Sequence, residues 1–421
     1  MKGTPRIIFI VILMLGLGVV PLLADYFDEP FYTVMFSRML ILSIGAVSLN
    51  LILGFGGMVS FGHAVYLGIG SYMVGIGTMH AVEDGIEWMA NGFLQITLAI
   101  VFSALTGLVI GAISLRTRGV YFIMITLAFS QMLYFVAVGN ERYGGDDGLS
   151  LYMRSDFNGL IDITYDNSLY YLNFVILLLS LYLSHRLINS RFGMVIRGAK
   201  SNEQRMRAIG FPVFRYQLVA FVIAGTICGI AGVLSANQTE FVDPSVMHWT
   251  RSGDLIIMTV LGGLGTLFGP VIGAVAFLFL EEFLSGITEY WQLYFGPMLV
   301  LVVIFARGGI DGMLVGLDKW WSRNSTVKNE EIDSWFFGTR YFAGEPLIIP
   351  KEGADPGAEE AAFLLGMVHD CANDRSGVCV FDLERDLKEG PVATAWLKSS
   401  VPHGLHGCFA QDGTGSSSVF C

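Results

Sequence analysis

Charge is what this chain has least of. Of its 421 residues only 25 are Lys or Arg and 36 are Asp or Glu, 14% in all. A soluble globular domain carries about a quarter, so the scarcity argues against one. An apolar share of 53% argues the same way. The chain also lacks a nucleotide loop. No G-x-x-x-x-G-K-[ST] sequence occurs in it, so it has no P-loop with which to cradle phosphates. Gly263-Leu264-Gly265 followed by Gly269 imitates a dinucleotide fingerprint, but the spacing is wrong and no βαβ frame surrounds it. Cysteines number five and histidines seven. Cys228 lies in an apolar run and reads as a packing residue. Cys371, Cys379, Cys408 and Cys421 follow the last such run, and their spacing does not match a C-x₂-C zinc pattern. No metal, no bound cofactor and no nucleic-acid partner are expected.

Long apolar runs are what the chain does have. Ten approach the length that a hydrocarbon core of roughly 30 Å demands of a helix: 7–24, 31–53, 58–80, 93–114, 119–139, 169–186, 216–236, 254–268, 270–287 and 291–306. The expected fold is an all-α polytopic membrane protein of about ten transmembrane helices. Gly262 to Gly273 interrupts the block 254–287, which reads either as two spans or as a re-entrant hairpin. Lys2 and Arg6 precede the first run, and with no small-residue cleavage site it reads as a retained anchor.

Basic residues sort to one side of this threading. Lys2/Arg6, Arg116/Arg118, the segment Arg186–Arg215 and Arg307 all fall inside if the N-terminus is cytoplasmic, as Lys and Arg bias loops to that side. Both termini are then cytoplasmic. Arg142, Arg154 and Arg251 are the exceptions outside, and Arg38 is expected to snorkel outward from the second span. Glycine is abundant, with 51 residues. Gly107/Gly111, Gly225/Gly229, Gly265/Gly269 and Gly269/Gly273 are small-xxx-small pairs, which let helix backbones approach closely in lipid.

Four ordered blocks carry a family resemblance. They are Asn50 to Ala64 (NLILGFGGMVSFGHA), Leu115 to Met132, the basic loop running into Ala220-Phe221 and Gly229 to Gly232, and Leu261 to Ala274. With them, residues 1–320 resemble the membrane permease of branched-chain amino-acid ABC importers, of the M type. Related permeases carry urea or short amides, which leaves that solute class as the alternative. The resemblance implies a subunit of the bacterial inner membrane. It would work with a second permease subunit, two cytoplasmic ATPases that use ATP, and a periplasmic solute-binding protein.

The basic loop then matches the ATPase-coupling loop, with Glu203, Ala208 and Gly210 at positions like those of its acid, small residue and glycine. Glu203 and Arg207 stand four apart, as partners on one helix face do, and Gly210 then Pro212 end that helix. The bland reading is a solvated loop that sets topology. Candidates for the translocation path are Asn50, Gly57, Ser60, His63 and Gln131. Polar groups at membrane depth face the bundle interior, and Gly54 to Gly62 is the stretch most suited to a broken helix. The bland reading of the same polar groups is bonding between helices.

Composition changes near Trp320. Beyond it apolar runs stop and acids outnumber bases. Residues 321–335 read as a linker and 336–421 as a small soluble tail, β-rich or partly disordered, with strands at Pro346 to Pro350 and Gly377 to Phe381. Phe337 to Pro346, Asp382 to Leu387, Gly390 to Ala393 and Val401 to Gly407 make it resemble the end of a carotenoid oxygenase. His406 matches one iron-ligand position of that family. One imidazole does not hold iron in a defined site, so the tail is expected to be inactive. A membrane-anchored oxidative enzyme is the reading from a different class, and ten spans are far more than an anchor requires.

Overall fold

Helix fills the apolar part of the chain. The computed structural model describes residues 4–157, 159, 162–288, 290, 293–298 and 308–313, with strand pieces at 341–343, 347–350, 362–370, 375–382, 391–396, 408–411 and 417–420. Contacts divide the chain into two units, Met1–Arg323 and Asn324–Cys421.

In the first unit the helices include α1 (Thr4–Phe27), α2 (Pro30–Asn50), α3 (Ala64–Glu83), α4 (Gly92–Ser114), α5 (Val120–Val138), α6 (Asp166–Ile188), α7 (Arg191–Ser201), α8 (Glu203–Ala208), α9 (Val213–Thr239), α10 (Trp249–Gly262) and α11 (Gly269–Ser285). Local chemistry marks their starts. Pro30 opens α2, where a missing N–H costs nothing. The Asn91 side chain caps α4 by accepting from the Phe93 and Leu94 amides.

Among the described residues seven helices are long and apolar enough to cross a membrane: Ile8–Phe27, Pro30–Phe55, Ala64–Glu83, Gly92–Ser114, Val120–Val138, Asp166–Ile188 and Val213–Thr239. The expected spans 254–268 and 270–287 fall on α10, of 14 residues, and α11, of 17 residues. At 1.5 Å per residue each is about 20–25 Å long, short of a hydrocarbon core. They fold back on each other: a Cβ added to Gly262 would collide with the Gly269 carbonyl, and one on Gly273 with that of Met258. The glycines let the two helices pack this closely, which both arrangements the sequence left open require. Most of the expected span 291–306 lies outside the described residues.

Helix α2 is buried along most of its length, whereas α1 and α5 are mostly exposed. Their exposed side chains, such as Leu15, Leu22, Phe135 and Val136, are apolar, as lipid contact requires. Leu40, Ile44, Tyr66, Phe221 and Leu255 are fully enclosed around α2, α3 and α9. Glycine sets the spacing there. A Cβ on Gly70 of α3 would strike the Gly229 carbonyl of α9, and one on Gly232 would strike that of Leu67. The pairs Gly107/Gly111 and Gly225/Gly229 lie in the same contacts, against Val222, Leu218, Tyr66 and Ser103.

The end of the bundle away from α7 is tied by a short antiparallel ladder, β1 (Leu149–Ser150) on β2 (Phe241–Val242). Arg154 reinforces it. Its guanidinium donates to Glu240 at 2.8 Å, to Asp166 at 2.7 Å and to the Ile163 carbonyl at 2.9 Å. This exception to the charge sorting is therefore a clasp between loops.

The second unit is β-structured where described. Strands β3 (Tyr341–Ala343), β5 (Ala362–Asp370), β6 (Arg375–Asp382) and β7 (Ala393–Trp396) lie in that order in one antiparallel sheet, with β4 (Leu347–Pro350) also paired to β5. Strands β8 (Cys408–Gln411) and β9 (Ser417–Phe420) pair separately. Both strands expected from sequence are present, as β4 and β6.

Candidate coupling and translocation site

Helix α2 does not stop cleanly. After Asn50 it passes into a π turn, Leu51–Phe55, and then leaves helical geometry until α3 begins at Ala64. The third span thus starts six residues later than the expected 58–80, because Gly57 adopts φ +71°, which favours glycine. A break of this kind exposes backbone polar groups, and at membrane depth they need partners. Side chains supply them. The Thr126 hydroxyl accepts from the Phe61 amide at 3.2 Å, Ser60 from Gly62 at 3.3 Å, and Ser252 from Ala64 at 2.9 Å.

The candidate path residues occupy this break unequally. Asn50 clamps the α10–α11 turn: its amide donates to the Thr266 carbonyl at 2.7 Å, and its oxygen accepts from the Gly265 amide at 3.0 Å. Ser60 and His63 are completely buried. His63 Nε2 lies 2.8 Å from the Ser48 hydroxyl, while its Nδ1 has no hydrogen-bond partner among the described residues. Gln131 lies more than a turn beyond Thr126 on α5 and joins none of these contacts; its buried amide nitrogen has no partner among the described residues.

The basic loop forms two short helices. Ser190 caps α7 and Asn202 caps α8. The Glu203 carboxylate accepts from Arg207 at 2.5 Å, the expected i,i+4 pair, and also from Arg118 of the α4–α5 turn at 2.8 Å. Helix α8 ends in a Schellman arrangement: the Gly210 amide donates to the Arg207 carbonyl and the Phe211 amide to that of Met206. Gly210 has φ +97° and open space around it. Ala208 and Gly210 are exposed, as are Ile209 and Phe211. The result is a small apolar knob between arginines.

The basic loop and the break are neighbours, which sequence reasoning did not anticipate. Lys200, in the last turn of α7, donates to the Gly54 carbonyl at 2.6 Å, and its side chain lies against Gly57. A cavity of about 420 Å³ opens between them, lined by Gly56, Gly57, Arg118, Lys200, Glu203 and Gln217 among others. Lys200 and Arg118 stood in the sequence only as topology markers. No local pattern distinguishes them from the other cations of their loops.

Membrane-length helices around a broken segment, with a basic loop bonded to the break through Lys200, are what a multi-pass permease subunit requires. The chain belongs to the family described as branched-chain amino acid transport system / permease component, whose model matches residues 32–305. It is 28% identical to the high-affinity branched-chain amino acid transport system permease protein LivM of Salmonella typhimurium, over 64% of this chain and 67% of that protein. It is 24% identical to a probable LivM permease of Methanocaldococcus jannaschii, over 63% of this chain and 89% of that protein. No solved structure gives a significant match.

Residues 323–411 match a second family model, retinal pigment epithelial membrane protein. Within the tail, 75 residues are 35% identical to an apocarotenoid-15,15'-oxygenase of Synechocystis, and they span only 15% of that enzyme. His406 lies outside the described residues. Among those described, no three His, Cys, Asp or Glu side chains are grouped to hold a metal.

Proposed function

We propose that this chain is the permease subunit of an ABC importer that moves branched-chain or related small amino acids across the bacterial inner membrane. The observation that carries the reading is the junction of the basic loop and the break. Lys200 and Glu203 lie on consecutive helices, one holding the broken end of α2 and the other the α4–α5 turn. Two cytoplasmic ATPases, which bind the ATP this chain has no loop for, would grip the exposed Ala208–Phe211 surface. A displacement of α7 and α8 would then move Gly54 directly through Lys200 and the α4–α5 turn through Glu203.

In this reading both termini and the knob are cytoplasmic, and the β1–β2 end faces the periplasm, where a solute-binding protein delivers the cargo. A second permease subunit completes the path. Asn50, Gly57, Ser60 and His63 shape the gate at the break, with Gln131 farther along α5. The tail, joined through residues 321–335, plays no oxygenase role.

The test is uptake in cells lacking their own branched-chain importers, carrying this chain with its partner subunits. Energy-dependent accumulation of labelled leucine supports the reading. Accumulation of labelled urea alone would replace the solute class, and accumulation of neither would sink the reading.

A further inference from the structure

A second cavity, of about 450 Å³, lies between α2, α10 and α11, away from the knob. That volume is within the range of small-molecule sites. Its lining is charged on one side and apolar on the other, with the polar Ser245, His248 and Thr250 beside them. At one side stand Arg38 of α2, Arg251 and Asp254 of α10, and Glu281 of α11. At the other stand Leu42, Leu67, Leu255, Met258 and Phe277. Two cations and two anions beside an aliphatic wall form an unusual surface for a membrane bundle, where charges are costly and pair tightly when only structure is served.

These four do not pair tightly. Arg38 meets Glu281 at 3.4 Å and Arg251 meets Asp254 at 3.6 Å, and both arginine side chains are 48% exposed. Elsewhere in the molecule arginines close on carboxylates fully, Arg154 on Asp166 at 2.7 Å and Arg118 on Glu203 at 2.8 Å. A good charge-assisted bond has that shorter length. Each guanidinium has five N–H donors, and among the described residues Arg38 uses only one nitrogen, on Glu281. Donors and acceptors are therefore left over, held near each other in a space that no described side chain fills.

We propose that this cavity binds the amino acid itself on its way to the break, an inference that rests on the reading of the chain as an amino-acid permease. The planar guanidinium of Arg38, with Arg251, takes the α-carboxylate, since a fork of donors matches two oxygens. Asp254 and Glu281 take the α-ammonium. The aliphatic wall takes a branched side chain. The four protein charges sum to zero, as do the two of a zwitterion, so binding leaves no uncompensated charge. Urea and short amides carry neither charge and would gain little here.

The experiment uses the full-length chain in lipid nanodiscs with tritiated leucine. Leucine should bind, while leucine amide, isocaproate and urea compete at least tenfold more weakly, because each lacks one or both charges. Arg38→Gln and Asp254→Asn should each weaken leucine binding tenfold or more, and Arg38→Lys should lose less than Arg38→Gln. The variants' melting temperatures guard against simple misfolding. Wild-type affinity in both neutral variants, equal competition by the analogues, or no leucine binding by the unaltered chain would overturn the assignment. Uptake by the complete importer is measured in parallel. Leucine uptake without binding at this cavity defeats the cavity alone; an importer that ignores leucine defeats the amino-acid reading itself.

Discussion

Lys200 Nζ donates a 2.6 Å hydrogen bond to the carbonyl oxygen of Gly54, a residue 146 positions earlier in the chain. The bond joins the last turn of α7 to the π turn that ends α2. A carbonyl at a helix break has lost its ladder partner, and a cation is a strong substitute. Movement of the basic loop therefore has a mechanical connection to the broken segment.

Lys200→Met keeps the side-chain length and removes the donor. Leucine uptake is expected to fall about tenfold, the change that ~1.4 kcal/mol of lost coupling gives, with membrane abundance unchanged on immunoblots. Lys200→Arg should retain more activity than Lys200→Met. Wild-type uptake with methionine in place would show that the bond transmits nothing.

Glu203→Lys reverses the charge that Arg118 and Arg207 share. Gly210→Asp places a side chain at φ +97°, a strain of about 1–2 kcal/mol, and puts an acid on the exposed knob. Both variants should insert normally yet hydrolyse ATP in the assembled importer without driving uptake. If both transport like the unaltered chain, the loop only sets topology.

Gly57→Leu strains a residue at φ +71° and drives its Cβ to 3.0 Å from Lys200 Cγ. Ser60 is fully enclosed, so Ser60→Leu overpacks its site by about 1–3 kcal/mol. Transport should drop at least tenfold in each at matched abundance, with Ser60→Ala much milder. Normal uptake by membrane-inserted leucine variants would remove the break from the path.

Arg154→Ala opens the clasp on Glu240, Asp166 and the Ile163 carbonyl. Its partner carboxylates are 54% and 40% exposed, so screening tempers the loss, leaving about 1–3 kcal/mol. A lower melting temperature in detergent is the readout. Lysine at this position should not restore it, since one ammonium cannot reproduce the spread of a guanidinium's donors over Glu240, Asp166 and the Ile163 and Thr164 carbonyls.

A stop codon after Arg323 removes the second compact unit. Leucine uptake should persist at close to the full-length rate per molecule in the membrane. Loss of uptake at normal abundance would give the tail a part in transport.

Much of this was legible beforehand because it is local. Hydropathy sums over neighbours in the chain, so the long helices announce themselves. Glu203, Arg207 and Gly210 fall within eight positions, and one helical turn with its stop signal decides their geometry. The pairs Gly107/Gly111 and Gly225/Gly229 were visible for the same reason. Gly70 and Gly232 carry no such signal, because each matters only opposite the other's helix. The α10–α11 block read as two spans or as a re-entrant hairpin. Apolar length alone does not say that Gly262, Gly269 and Gly273 will fold it back, or that Asn50 will hold its turn from 216 positions away.

The sequence by itself determined that this chain lives in a membrane, which loop is basic and that its last hundred residues are of another kind. Only the tertiary structure decided that the basic loop touches the broken helix, and that Arg38, Arg251, Asp254 and Glu281 share one cavity. The physical reason is range. Hydropathy and helix capping act over a turn or two of chain, whereas a hydrogen bond or a charge acts through space and is indifferent to how many residues intervene.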